Sequence, residues 1–329
     1  MSDPTIRDVA RHARVSVASV SRALNGHDNV SEATRARVAD AVRALSYVPH
    51  AGARSLSLAR NNAIGVVLPD LHGEFFSEIV RGMDREASRH GFLLLLSNLH
   101  AGSAQAASAL RAMRGRVDGL VVMAPHLRGE ELCDALPAGL PAVLVNTRAT
   151  APSRAAIHID NAVGTRSVIA HFAALGRKRL LHISGPKNNV DSQERADACR
   201  AAAEEFDLSL EVVRGDFEEE SGRAAVDELI VHRREFDAVF AANDNMAIGA
   251  IGALRQVGLR IPEDVAVAGF DDIPLSRHLG LTTVRVRIAE LGERALAMLL
   301  ELLSGSEPGE ERHTPELVVR STTQLDQDP

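Results

Sequence analysis

Residues 5–25 read Thr-Ile-Arg-Asp-Val-Ala-Arg-His-Ala-Arg-Val-Ser-Val-Ala-Ser-Val-Ser-Arg-Ala-Leu-Asn. The spacing predicts two short helices joined by a tight turn, the layout of a helix-turn-helix DNA reader. Thr5 is placed to accept from the first exposed amides, and Asp8, three residues on, can reach back to it. Ile6, Val9, Ala10 and Ala13 recur at helical spacing and give one apolar face. Arg14-Val15-Ser16 makes the turn, with Ser16 as the cap of the second helix. Val20 and Leu24 then point to a core, which leaves Val17, Ala18, Ser21 and Arg22 on or near the outward surface. An arginine there can donate two hydrogen bonds to guanine O6 and N7 in a major groove. The same spacing also fits a plain amphipathic hairpin with a solvated Arg22.

Beyond spacing, Thr5, Ile6, Asp8, Val9, Ala10, Ala13, Val15, Ser16, Val20, Ser21, Arg22, Leu24 and Asn25 resemble the signature of the lac/galactose repressor family position for position. The resemblance implies base reading by Val17, Ala18 and Arg22, and phosphate contacts by Ser16, Ser21, Asn25 and Ser31. A third helix follows, capped by Ser31, with Glu32 in its first turn and Val38, Ala41, Val42 and Leu45 as its stripe. Three helices in about 45 residues make a very small core. From Pro49 to Leu58 the chain is rich in small residues and too short to hold a helix alone in water. In the related proteins this segment folds when two copies meet in the minor groove. Ala53, Arg54 and Leu56 match its pattern, with Leu56 as the wedge into a base step. His50 stands where the family usually carries Asn.

The full chain has 329 residues and a net charge of −7. That charge is unevenly spread: residues 1–60 hold nine arginines against five acids, a net of +4, which leaves −11 for the rest. Phosphate attraction is therefore expected at the N-terminus alone. The cores must be aliphatic, since there is no Trp and one Tyr. Cys133 and Cys199 lack metal-ligand spacing and fit buried free thiols in a reduced cytoplasm. No run of 18 apolar residues and no secretion signal are found, so neither a membrane span nor export is expected.

From Asn61 onward, apolar strands alternate with amphipathic helices. Strand-like runs fall at 63–68, 92–96, 120–123, 141–145, 156–159, 180–183, 210–213, 238–240 and 265–268. Helical stretches lie between most of them, which predicts parallel sheets covered on both faces. About 270 residues in two such runs suggest two doubly wound lobes around a cleft. The expected fold is thus a small all-α head plus an α/β bilobed sensor like the periplasmic binding proteins. The expected division is 1–48 for the reader, 49–60 for the hinge and 61–329 for the sensor. Within the sensor the lobes interleave, one spanning about 61–158 and 287–316, the other about 159–286 and 317–329.

Ligands of open parallel sheets bind at the carboxyl ends of strands. Phe75 and Phe76 follow the first strand, in a chain poor in aromatics, and fit either core packing or a flat ligand. Asn146 ends another strand. The loop Gly185–Arg195 resembles the family's effector loop, which implies a ligand-binding role for Arg195 with Asn189 and Asp191 beside it. The resemblance adds Phe217 and Asp271, and Asn243 also follows a strand. Carboxylates and amides around aromatic faces suit a neutral polyhydroxylated ligand, a sugar or sugar derivative rather than a purine. Asp271-Asp272 could imitate a catalytic pair, but neighbours on a loop point apart. Scattered histidines read as solvated, and no catalytic motif, metal ligand set or cofactor site is found.

These readings together imply a homodimeric, ligand-responsive transcription regulator, a repressor acting on a palindromic double-stranded DNA operator, with no cofactor. Two alternatives belong to other classes: a bilobed sugar-binding receptor without DNA function, and a cytoplasmic sugar-metabolising enzyme.

Overall fold

The computed structural model describes residues 4–24, 29–47, 61–99, 103–147 and 154–324. Asn25 and the hinge candidates Ala53, Arg54 and Leu56 lie outside the described residues, as does the hinge segment 49–60. The chain divides into two compact units, Met1–Asn61 and Asn62–Pro329.

The first unit holds α1 (Ile6–Ala13), α2 (Val17–Leu24) and α3 (Glu32–Leu45). Asp8 accepts from the Thr5 backbone amide at 3.0 Å, as the capping pattern predicts. The Thr5 side chain completes the box, and its hydroxyl also donates to the same carboxylate at 2.6 Å. An acceptor with two donors holds its charge, and these bonds keep the Asp8 pKa below the usual carboxylate range. Ser16 caps α2 by accepting from Ser19 N at 3.0 Å, and Ser31 caps α3 through Thr34 N at 3.3 Å. Arg14 closes α1 at φ 52°, a left-handed position that favours glycine. The core is Val9, Ala10, Ala13, Val20, Val38, Ala41 and Tyr47, with Ile6, Leu24 and Leu45 packed on its edge.

Among the described residues, the second unit is built on two six-stranded sheets. The first contains β1 (Ala63–Leu68), β2 (Leu93–Asn98), β3 (Gly119–Met123), β4 (Ala142–Val145), β5 (Ala155–Ile159) and β11 (Glu310–His313). Its order is β11-β5-β4-β3-β1-β2, and all pairings are parallel. The second contains β6 (Arg179–Ser184), β7 (Ser209–Arg214), β8 (Ala238–Ala241), β9 (Ala266–Asp271), β10 (Thr282–Arg285) and β12 (Glu316–Val318). Its order is β12-β10-β9-β8-β6-β7, with only β12 antiparallel. Strands β1, β3, β8 and β9 are buried along their whole length, which is why they read as unbroken apolar runs rather than alternating ones.

The chain passes between the sheets three times, at Ile159–Asn161, Arg285–Ile288 and His313–Glu316. Helix Ile288–Leu303 returns to the first lobe and packs on helix Glu74–Arg89. Gly82 and Gly292 let these two backbones touch: a Cβ on either would run into a carbonyl of the facing helix. The second lobe repeats the device with Gly222 and Gly249, where helices Glu219–Val231 and Asp244–Gln256 meet.

Among the elements not expected from the sequence are β11 and two short helices, Gly129–Ala135 and Pro274–His278. Strand β11 is Glu-Glu-Arg-His, an edge strand with no fully buried side chain and hence no apolar signal. Helix Gly129–Ala135 spans only two turns. The reading of the histidines as solvated is corrected at His182. It sits on the same strand face as Leu180, fully buried, stacked on the Phe240 ring with centroids 5.0 Å apart. Its Nδ1 lies 2.9 Å from the Phe240 carbonyl, and burial pushes its pKa down to about 4, so it is neutral. Cys199 is buried and Cys133 half-buried, and both are free thiols.

Candidate functional site

In the head, Val17, Ala18 and Arg22 are exposed on α2, while Ser21 is half-buried. Arg22 reaches back through Nε to the Ala18 carbonyl at 3.3 Å, which aligns it along the helix while its side chain remains at the surface. Ser16 and Ser31 spend their oxygens on caps, so each marks a helix N-terminus, where free backbone amides favour an anion such as a phosphate.

In the second unit, strand order reverses between β1 and β3 in one sheet and between β6 and β8 in the other. The loops that leave the carboxyl ends at these reversals face each other across a cleft, the place where doubly wound sheets bind ligands. The cleft encloses about 640 Å³ of non-atom space, its open mouth included. Phe75, Phe76, Asn146, Asn189, Asp191, Arg195, Phe217, Asn243 and Asp271 all line it. The structure thus gathers into one cavity nine residues spread over nearly 200 positions of sequence. Two hydrogen bonds join its lips: Val190 N donates to the Pro125 carbonyl at 2.9 Å, and Leu275 N to Glu74 Oε2 at 3.0 Å.

Three asparagines of the cleft have their orientation fixed by what the amide oxygen accepts. Asn146 Oδ1 takes Ile159 N at 2.9 Å, Asn189 Oδ1 takes Ser192 N at 3.0 Å, and Asn243 Oδ1 takes Met246 N at 3.0 Å. All three therefore turn their NH₂ groups the other way, and Asn243 donates to the Phe217 carbonyl at 2.8 Å. Among the described residues, Asn146 Nδ2 is buried with no protein partner.

Arg195 is the only arginine or lysine lining the cleft among the described residues, and its side chain is 5% exposed. Its guanidinium lies on the Phe270 ring, 3.7 Å from the centroid. Nε donates to Asn161 Oδ1 at 2.8 Å and Nη1 to the Ala242 carbonyl at 2.5 Å, with Asp271 Oδ1 3.6 Å away. Asp271 Oδ1 is itself buried without a hydrogen bond. Burial raises the Asp271 pKa well above the usual carboxylate value, opposed by Arg195 and reinforced by Asp244 and Asp191. Asp191, which accepts from Asn161 Nδ2 at 2.8 Å, is raised by burial as well.

Aromatic faces complete the walls. Phe75 and Phe76 meet edge to face at 5.3 Å. Phe217 sits at φ 77° and lays its ring where a Cβ on residue 185 would go, so Gly185 is required there. Sequence reasoning missed Met123, Pro125, Glu218 and Asn245, which also line the cleft, and Asn161, which orients Arg195. Asn161 opens a helix just after a lobe crossing, a position that carries no ligand signal of its own.

Among the described residues, no cluster of His, Cys, Asp and Glu could hold a metal ion, and no helix is long and apolar enough to cross a membrane.

Comparison with known proteins agrees with both halves of this description. Residues 5–50 match the model for bacterial regulatory proteins of the lacI family, and residues 169–323 match a periplasmic binding protein-like domain. The chain is 31% identical to the HTH-type transcriptional repressor CytR of Escherichia coli K12, over 97% of this chain and 96% of that one. It is 32% identical to the ribose operon repressor of Halalkalibacterium halodurans, over 97% of each. Its fold superposes on the lac repressor dimer bound to operator and the anti-inducer ONPF, with a TM-score of 0.90 at 28% identity, over 98% of this chain and all of that one. The cellobiose complex of the regulator CelR matches with a TM-score of 0.72 at 31% identity, over 97% of this chain and 99% of that one. These relatives are regulators rather than enzymes, and the chain belongs to the lacI family of DNA-binding transcription regulators.

Proposed function

We propose that this regulator is a homodimeric repressor that binds a palindromic operator in the cytoplasm and is controlled by an unphosphorylated sugar. Residues 1–48 form the reader, with Val17, Ala18 and Arg22 at base edges and Ser16, Ser21, Asn25 and Ser31 at phosphates. Residues 49–60 form the hinge, in which Ala53, Arg54 and Leu56 enter the minor groove. Residues 61–329 form the sensor, with lobes 61–158 plus 287–316 and 159–286 plus 317–329.

One observation carries the choice of ligand. The cleft offers a donor without a hydrogen bond, Asn146 Nδ2, from one lobe and an acceptor without one, Asp271 Oδ1, from the other. A hydroxyl can accept from the first and donate to the second, so a polyhydroxylated ring satisfies both lobes at once. Phe75, Phe76 and Phe217 provide flat faces for its C–H surface. The cleft's guanidinium is already engaged by Asn161 and Ala242, which disfavours a phosphate or carboxylate. That curated relatives from Halalkalibacterium halodurans and Escherichia coli are ribose operon repressors makes D-ribose the first candidate.

Two measurements test the reading. A thermal-shift panel of neutral sugars, phosphorylated sugars and nucleobases should give its largest shift with a neutral sugar, absent in Asp271→Ala. A best hit among nucleobases or sugar phosphates refutes the ligand assignment. Operator fragments selected from random duplex should bind with steep salt dependence and lose sequence preference in Arg22→Ala. Equal affinity for selected and random duplex removes the DNA reading.

A further inference from the structure

The end of β9 carries two consecutive non-glycine residues with positive φ, Asp271 at 113° and Asp272 at 57°. Such backbone is strained and persists only where the surroundings hold it. Here the surroundings hold it from two opposed sides. Asp271 lines the effector cleft. Asp272 lines a second, polar and larger cavity, about 1140 Å³ of non-atom space with its open mouth included, and the two cavities share no residue.

The Asp272 side chain is 6% exposed and fully engaged. Oδ2 accepts from Arg285 Nε at 2.6 Å, and Oδ1 from Arg320 Nη2 at 2.6 Å. Arg285 also meets Glu316 at 3.4 Å, and Glu316 meets Arg287 at 3.2 Å. Arg285 and Arg287 belong to one crossing between the lobes and Glu316 to another. The backbone adds further ties: Val286 N donates to the Asp271 carbonyl and Asp272 N to Thr283 Oγ1, each at 3.4 Å. A rigid two-residue corner thus has one carboxylate in the cleft and the next on both crossings.

We propose that Asp272 is a positioning residue for the effector response, which ties the cleft-facing Asp271 to the crossings Arg285–Ile288 and His313–Glu316. A ligand that donates to the Asp271 oxygen lacking a hydrogen bond pulls on the corner, and the corner moves the Arg285–Glu316–Arg287 network. The open cavity beside Asp272 lets that network rearrange without repacking the core. The proposal rests on the reading of the cleft as the effector site, but its test separates the two.

Amide exchange of the full chain is followed by mass spectrometry in peptides covering 189–195, 285–288 and 313–316. The cleft is disturbed in two ways, by Arg195→Lys and by saturating D-ribose, in the wild type and in Asp272→Asn. We expect Arg195→Lys to change exchange at the crossings by about threefold or more when Asp272 is present and by less than about 1.5-fold when it is Asn, non-additivity being the mark of a coupled pair. The 189–195 peptide should respond in both backgrounds. A residue that only stabilises the fold would shift the baseline and leave the response intact. Equal responses in both backgrounds, or none at the crossings in wild type, overturn the proposal. If D-ribose moves 189–195 but not the crossings, the link falls and the cleft reading stands. If D-ribose moves nothing while Arg195→Lys acts through Asp272, the ribose assignment falls and the link stands. Arg285→Gln cuts the same network from the other side and decides the matter should Asp272→Asn fail to fold.

Discussion

Replacing Arg195 by Ala tests whether this arginine holds the sensor together as well as facing its cleft. The substitution leaves the Asn161 Oδ1 and Ala242 carbonyl acceptors without their donor. An orphaned buried acceptor costs about 1–3 kcal/mol. It also strips the cation from beside Asp271 and Asp191, both buried. Breaking a fully formed buried ion pair costs about 3–5 kcal/mol. At 3.6 Å the pair with Asp271 is loose, and a carboxyl whose pKa is already raised can escape by taking a proton. The two acceptors therefore set the loss at about 3 kcal/mol where Asp271 is protonated. The sign of its pH dependence follows from Asp271. Without Arg195 its folded pKa climbs further above the unfolded value. The native state then binds a proton that the unfolded chain releases, and stability falls as pH rises through that window. The cost should thus grow as pH rises above the usual carboxylate range.

Urea unfolding followed by circular dichroism measures this, since the chain has no Trp. The expected drop in melting temperature is about 2–4 °C per kcal/mol for a domain of this size. Arg195→Lys keeps the cation but lacks the planar fork, and should recover only part of the loss. A loss in Arg195→Ala below about 1 kcal/mol, flat with pH, would refute the reasoning and show that its buried hydrogen bonds do not hold the sensor together.

Gly185→Ala should push the Phe217 ring out of its seat, at an overpacking cost of about 1–3 kcal/mol, and weaken sugar binding about tenfold. Calorimetry with the sugar that binds wild type checks this, and unchanged affinity would show that Phe217 does not contact the ligand. Asp244, fully buried, accepts from Ile273 N, Ser276 Oγ and Thr283 Oγ1, and burial pushes its pKa up to about 7. Its protonated form contributes stability present below about pH 4 and lost as pH rises through about 7. The contribution reaches about 4 kcal/mol, since each pH unit between the unfolded and folded pKa is worth about 1.4 kcal/mol. Asp244→Asn should therefore flatten the fall in urea midpoint between about pH 4.5 and 7.5, and an unchanged slope would assign that proton elsewhere.

The sensor was legible in the sequence wherever burial was complete. β1, β3 and β9 announce themselves because both faces are covered and nearly every residue must be apolar. Glu310–His313 is equally a strand but lies at a sheet edge, where only its backbone pairing defines it. His182 illustrates the reverse error. Its residue type signals solvent, yet its place two residues after Leu180 in a covered strand puts it inside. For the cleft, the residue types at strand ends suggested polar recognition, while the choice of Arg195, Phe217 and Asp271 came from likeness to a family. What neither could supply is partnership. That Asn161 occupies one face of Arg195, or that Asp271 and Asp272 face different cavities, depends on contacts between segments far apart in the chain.

The small size of the head makes sense beside the limited strength of such a sensor. Coupling between two ligand sites is typically about 1–3 kcal/mol, a change of about 5- to 150-fold in affinity. A reader that saturated its operator by a wider margin could not be switched by that amount. Among its described residues this head has seven buried core side chains, three of them Ala, and one exposed arginine on its reading helix. A single copy with a net of +4 over residues 1–60 gains modest phosphate attraction, and the −11 on the remainder opposes it. In the proposed dimer, specific affinity arises from two weak heads held at the correct spacing, since linking them makes the second contact intramolecular. Whatever disturbs that spacing acts on the product of two affinities rather than on one. A few kcal/mol at the lobe crossings is then enough to decide whether the operator is held.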